Sequence, residues 1–268
     1  NMAYVKLGAM AEGSIVKLNE DGQPVEFYVA KQDYEPELNG PGRVLLVRKD
    51  CYDKRMWHNS YFDAYASSDI DAWFNGDYKN KLDPAIQAAI GTTKFYYTPG
   101  NRNKTTTTLE RSVFALSAGE LGMFAMDLPV KHEYMPDEGT ALSDTVIDLL
   151  KIVYLSGSVC PQWTRSPYLY YTYGVIGAWN LGKLGALAFM YSTNVYGSRP
   201  AFTLPATLSV SDDSEVVTNT PPTAPASITI PSQINGGSTV TVEWGPASDA
   251  EDNLEGYKVE RSVDGGSS

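Results

Sequence analysis

His58 and His132 are the only imidazoles of the chain, and neither stands in an HxxxH or comparable ligand spacing, so no zinc or other metal site can be read from them. The only cysteines, Cys51 and Cys160, are far apart and form no CxxC pair. They read as two buried free thiols packing as small hydrophobes, with one long-range disulfide as the alternative. A Ser-His-Asp triad has no motif support, since GxSxG is absent. The carboxylate pairs Asp69/Asp71 and Asp137/Glu138 read as a helix cap and a solvated loop rather than a glycosidase pair. No catalytic residue, metal or cofactor is therefore expected.

Recognition chemistry is better represented. Residues 163–205 open with Trp-Thr-Arg-Ser-Pro, close with Gly-Ser-Arg-Pro-Ala-Phe-Thr-Leu-Pro, and hold six of the 18 tyrosines. Tyrosine offers a large rigid contact area at low entropic cost, and short polar side chains adapt their hydrogen bonds, which is what a binding surface uses. The competing reading makes the same tyrosines core and edge-strand residues of a β-rich domain. Arg165 and Arg199 frame this window. Each reads as a structural lock that gives its donors to local carbonyls and a carboxylate, with Glu120 and Asp148 as candidate partners. Trp73 and Trp163 are assigned to the core, whereas Trp179, among Gly177, Gly182 and Gly185, reads as an exposed loop residue.

The elements that must hold these residues are short. Residues 14–18 and 25–31 flank an Asn-Glu-Asp-Gly-Gln turn and predict a hairpin. Residues 43–51 read as a buried central strand. Ser67, Ser68 and Asp69 offer cap oxygens for a helix with Ile70, Trp73 and Phe74 on one face, and Asp83-Pro84 starts another carrying Ile86 and Ile90. Residues 94–111 read as an exposed hairpin or long loop, 112–116 as a short strand, and Ser117 to Glu120 as the capping box of a short helix. Residues 135–143 are loop-like, and 146–155 are a buried segment whose period does not choose between strand and helix.

Composition is globular, with 43% hydrophobic and 20% charged residues. The net charge of −11 argues against nucleic acid as a partner, because phosphate-backbone affinity comes from lysine and arginine. The apolar runs are too short to span a bilayer, so no membrane insertion is expected. After Leu208 the composition turns acidic and then Pro-rich, which divides the chain into a domain at 1–211, a linker at 212–224 and a second domain at 225–268.

Two resemblances rest on particular residues. Pro222-Thr-Ala-Pro-Ala-Ser-Ile228, Val240-Thr-Val-Glu-Trp244, Ala247-Ser-Asp-Ala-Glu-Asp-Asn253 and Gly256-Tyr-Lys-Val-Glu-Arg261 resemble the front half of a fibronectin type III domain. That implies strands over 227–230, 239–244 and 256–262, a core built on Trp244 and Tyr257, and a β-sandwich whose remaining strands are missing, as in a fragment of a longer protein. About residues 8–206 resemble C-type-lectin-like domains of phage tail and bacterial surface proteins, related in fold to formylglycine-generating-enzyme-like proteins and to the variable proteins of diversity-generating retroelements. The marks are Asp71-Ala-Trp-Phe-Asn-Gly76, Asp83-Pro-Ala-Ile-Gln87, Phe114-Ala-Leu-Ser-Ala118, Trp163-Thr-Arg-Ser-Pro167 and Arg199-Pro-Ala-Phe202.

This second resemblance implies an α+β fold of short helices and antiparallel strands. It places ligand-binding residues at Tyr168, Tyr170, Tyr171, Tyr173, Trp179, Asn180, Tyr191, Thr193, Asn194 and Tyr196. It also implies attachment of a virion or bacterial surface fibre to a cell-surface glycan or protein receptor, within a larger assembly for which the resemblance suggests a homotrimer, with the Tyr, Asn, Ser and Thr bias fitting adenine-directed codon variation. Oxidase chemistry would need reactive cysteines at a substrate groove, and neither Cys51, in a strand that reads as buried, nor Cys160, before Pro161, suits that. The calcium-binding triplets of true C-type lectins are absent. The alternative is a structural fibre component whose lectin-like domain mediates assembly.

Overall fold

The computed structural model describes residues 4–122, 136–169, 174–179, 186–211, 216–217, 222–230, 241–248 and 256–259. The chain divides into two compact units, Asn1–Val217 and Thr218–Ser268. The strands of the first unit are, in chain order, β1 (Tyr4–Lys6), β2 (Ile15–Glu20), β3 (Gln23–Lys31), β4 (Arg43–Arg48) and β5 (Asp53–Met56). There follow β6 (Thr93–Tyr97), β7 (Thr107–Arg111), β8 (Tyr154–Leu155), β9 (Ser158–Val159) and β10 (Gln162–Pro167). The last are β11 (Gly174–Trp179), β12 (Ala186–Tyr191), β13 (Val195–Ser198), β14 (Ala201–Pro205), β15 (Ser209–Ser211) and β16 (Val216–Val217). The α-helices are α1 (Pro36–Asn39), α2 (Asp69–Trp73), α3 (Pro84–Ile90) and α4 (Asp144–Leu150). The class is α+β.

Two sheets organise this unit. One has the order β14-β4-β3-β2 and is antiparallel throughout. The β2–β3 hairpin closes on Asp21 and Gly22, at φ 52° and 73°, the left-handed pair that a two-residue turn needs to match strand twist. Strand β4 lies between β3 and β14, with Val44, Leu45, Leu46 and Val47 fully buried, so both its faces are covered. It ends at Arg48, and Cys51 lies beyond it in a buried loop position instead of in the strand.

The second sheet has the order β12-β11-β10-β13-β5, with β10 and β13 parallel and the other pairs antiparallel. Every residue of β10 is buried, including Thr164, Arg165 and Ser166. The segment that opens the aromatic window is therefore scaffold.

The helices follow their caps. Ser68 Oγ accepts from Asp71 N at the start of α2, and Ser143 Oγ accepts from Val146 N at the start of α4, which settles 146–150 as helix. Asp83 precedes α3 without capping it. Its carboxylate accepts from Asn19 Nδ2 at 3.0 Å, and Pro84 fixes the first turn, burying Ile86 and Ile90. Residues 94–111 form the β6–β7 hairpin. Residues 113–116 are buried, but the 112–116 segment makes only an isolated bridge, Phe114 to Ala201, instead of a strand. The Ser117/Glu120 box forms reciprocally, with Glu120 N donating to Ser117 Oγ at 3.0 Å and Ser117 N to Glu120 Oε2 at 2.8 Å. It closes a turn, not a helix, through Gly122.

In the second unit, β17 (Ile228–Thr229) pairs with β18 (Glu243–Trp244). The third expected strand does not form over 256–259. Trp244 and Tyr257 pack ring to ring at 5.6 Å and are 41% and 42% exposed.

Candidate functional site

Arg165 is wholly buried and forks onto Glu120, with Nη1 to Oε2 at 2.7 Å and Nη2 to Oε1 at 3.0 Å. Its remaining donors reach Tyr96 O at 3.0 Å and Ala115 O at 2.9 Å, and its plane lies 4.7 Å from the Phe95 ring centroid. The Tyr34 hydroxyl also donates to Glu120. Burial opposes the guanidinium charge most strongly, but Glu120, Tyr34 and Glu138 together outweigh it and raise the Arg165 pKa. Arg199 is built differently: it donates to Arg48 O, Lys49 O and Leu150 O at 2.6–2.8 Å and has a weaker contact with Gln162 Oε1. Burial pushes its pKa down to about 10. Asp148, the other candidate partner, lies 3.9 Å from Lys151 instead. Both arginines are thus internal locks.

Glu138, expected in a solvated loop, is fully buried beside this network. It accepts from Thr98 N at 2.6 Å and from the Ser166 hydroxyl. Burial raises its carboxyl pKa above 4.5, with Arg165, Ser166 and Thr98 opposing. A carboxyl that holds its proton more tightly folded than unfolded loses stability as pH rises from about the unfolded value through the folded one. Glu138→Gln keeps an acceptor for Thr98 and cannot ionise, so it should flatten the decline in stability above pH 4.5. Urea unfolding across a pH series checks this.

Above this scaffold, the turn from β12 to β13 is wrapped by residues 57–62. Ser192 is buried, and its carbonyl accepts from Trp57 N at 3.0 Å and His58 N at 3.1 Å. Its hydroxyl donates to Ser60 O at 2.8 Å and accepts from Phe62 N at 2.9 Å. The result is a fixed platform for two exposed rings, Tyr61 (66%) and Tyr191 (45%), whose centroids are 5.6 Å apart. Met56 and Val195 sit opposite one another across β5 and β13 and are also exposed. His58 stacks 4.4 Å from Phe62 and accepts from Asp69 N at 3.2 Å. On the far side of the loop Asp63 Oδ1 accepts from Asn101 N at 2.7 Å, which ties the exposed 101–104 tip to the same platform.

Of the predicted ligand-binding residues, Tyr191, Thr193 and Asn194 come together on this turn, with Asn194 N donating to Tyr191 O. Tyr168 and Tyr196 are half-buried and pack on the core, Tyr196 edge-on to Trp163 at 5.2 Å. Trp179 ends β11 opposite Ala186, so its backbone belongs to a strand rather than a loop. Tyr170, Tyr171, Tyr173 and Asn180 lie outside the described residues, as does His132. Tyr61 was not anticipated. Its signal was the aromatic-polar run Trp57-His-Asn-Ser-Tyr-Phe62, which carries no element of its own. A separate acidic cleft of about 470 Å³, lined by Glu12, Lys31, Asp33, Tyr34 and Glu35 among others, includes none of the predicted residues. Among the described residues no cluster of three or more His, Cys, Asp or Glu side chains could hold a metal ion, and no helix is long and apolar enough to cross a membrane.

The fold and site thus define an α+β domain whose exposed aromatic turn is mounted on a buried Arg-carboxylate scaffold. Residues 41–206 match the family described as a domain of unknown function (DUF6273), and the chain belongs to that family. No curated protein and no solved structure matches it.

Proposed function

We propose that this chain is a ligand-binding module of a phage tail or bacterial surface fibre, with a C-type-lectin-like first domain and fibronectin type III-like sequence after it. It acts as a binder, not an enzyme, and contacts a cell-surface glycan or protein receptor. The observation that carries the reading is the exposed Tyr61–Tyr191 pair on a turn fixed by four hydrogen bonds to Ser192. Rigid exposed rings stack on sugar faces or protein side chains at little entropic cost, and Thr193 and Asn194 supply short polar contacts beside them.

The test compares the protein with a Tyr61→Ala/Tyr191→Ala variant for binding to a panel of bacterial cells and purified cell-wall polysaccharides, with thermal unfolding as control. Affinity should fall at least about tenfold at unchanged Tm, as for the removal of central aromatic anchors. Equal binding by both proteins would end the reading. Self-association lost in the variant would instead favour assembly between copies, to which the exposed Met56 and Val195 would contribute.

A further inference from the structure

Cys51 and Cys160 are distant in sequence and meet over one backbone atom. A Cβ built on Gly197 would stand 2.3 Å from Cys51 Sγ and 2.9 Å from Cys160 Sγ. Both thiols are free, and each residue is 2% exposed. Their backbones are pinned to adjacent residues of one segment, Cys51 N donating to Tyr154 O and Cys160 N to Val153 O, each at 2.9 Å. Side chains that converge this way from fixed backbones satisfy the main geometric demand of a disulfide, which is that the Cβ vectors point together.

The position is mechanical as well. Gly197 belongs to β13, which lies between β5 and β10, and the two cysteines stand just ahead of those flanking strands. We propose that Cys51 and Cys160 are a modification site, a dithiol that closes to an intramolecular disulfide under oxidising conditions and cross-links the two flanks of the strand leading from the aromatic turn. The cover over the pair is slight. Val153 and Leu155 complete a small apolar cluster apart from the main core, and the β8–β9 hairpin above it is exposed through residues 156–159. Two-residue strands open locally at little cost, which admits a small oxidant.

With oxidised glutathione as co-reactant the chemistry balances. Cys160, as thiolate, attacks one glutathione sulfur, the glutathione S–S bond breaks, and one glutathione leaves and takes up a proton. Cys51 then loses its proton to solvent and attacks the Cys160 sulfur of the mixed disulfide, expelling the second glutathione. Two electrons and two protons pass from the cysteine pair to the glutathione disulfide. The hydrogen bond from Cys51 lowers the pKa of Cys160, and the same bond together with burial raises that of Cys51, which makes Cys160 the attacking group.

The test incubates the folded full chain with oxidised glutathione, alkylates remaining thiols in denaturant and maps peptides without reduction. A Cys51–Cys160 linked peptide from monomeric protein is expected, with Tm raised by about 5 °C and restored by dithiothreitol. Cys51→Ser should stop at a glutathione adduct on Cys160 with no gain in Tm. Two alkylatable thiols after oxidation, links only between chains, or a linked form of lower Tm would overturn the proposal.

Discussion

Arg165→Ala is expected to destabilise the first unit by about 3–5 kcal/mol, the range for leaving one member of a buried ion pair without its partner. The substitution strips Glu120, itself wholly buried, of its bidentate cation. It also leaves the carbonyls of Tyr96 and Ala115 without the donors that now reach them. The Tyr34 hydroxyl and Ser117 amide still donate to Glu120, but neither neutralises its charge. Arg165→Lys should recover little of the loss, because an ammonium cannot fork onto the carboxylate while reaching two carbonyls. The pair Arg165→Met/Glu120→Gln removes both charges and should be milder than Arg165→Ala alone. Chemical denaturation of the four proteins decides it, and equal stability for Arg165→Ala and the double variant would show that the stranded carboxylate is not the cause.

The legible parts of the sequence are those governed by local rules. The Asp21-Gly22 turn, the Ser68 cap, the Pro84 start and the Ser117/Glu120 box each use short-range chemistry that residue order states directly. The Arg165–Glu120 pairing could also be anticipated, because a buried charge needs partners and the capping-box carboxylate offered one, though Arg199 is satisfied by carbonyls and Glu138 looked like a loop acid until the fold enclosed it. Less legible was anything set by non-local packing. Residues 112–116 have strand-like composition, but only Phe114 forms a β-bridge, to Ala201. Tyr168 and Tyr196 share composition with Tyr191, and only the tertiary environment separates half-buried packing rings from an exposed one. Tyr61 joins Tyr191 through hydrogen bonds spanning some 130 residues, which no spacing rule encodes.

Gly100→Ala should disturb this site from a distance. Gly100 lies at φ 73°, where an L side chain costs about 1–2 kcal/mol, and a Cβ there would be 2.2 Å from Asp63 O and 2.7 Å from Asp63 C. Those atoms are backbone, so the clash cannot be relieved by turning a side chain, and the 98–103 loop must part from residues 57–63. Parting breaks the bond from Asn101 N to Asp63 Oδ1 and leaves Asp63, 5% exposed, without that donor. Strain, clash and lost hydrogen bond together should cost about 3 kcal/mol. Because Tyr61 lies two residues before Asp63 on the same wrapped loop, binding at the proposed Tyr61–Tyr191 surface should weaken along with stability. Asp63→Asn, which retains an acceptor for Asn101, should leave both nearly intact. Unfolding and binding measured on the two variants separate the possibilities: loss of stability with full binding would mean that the 98–103 loop supports the fold without positioning Tyr61.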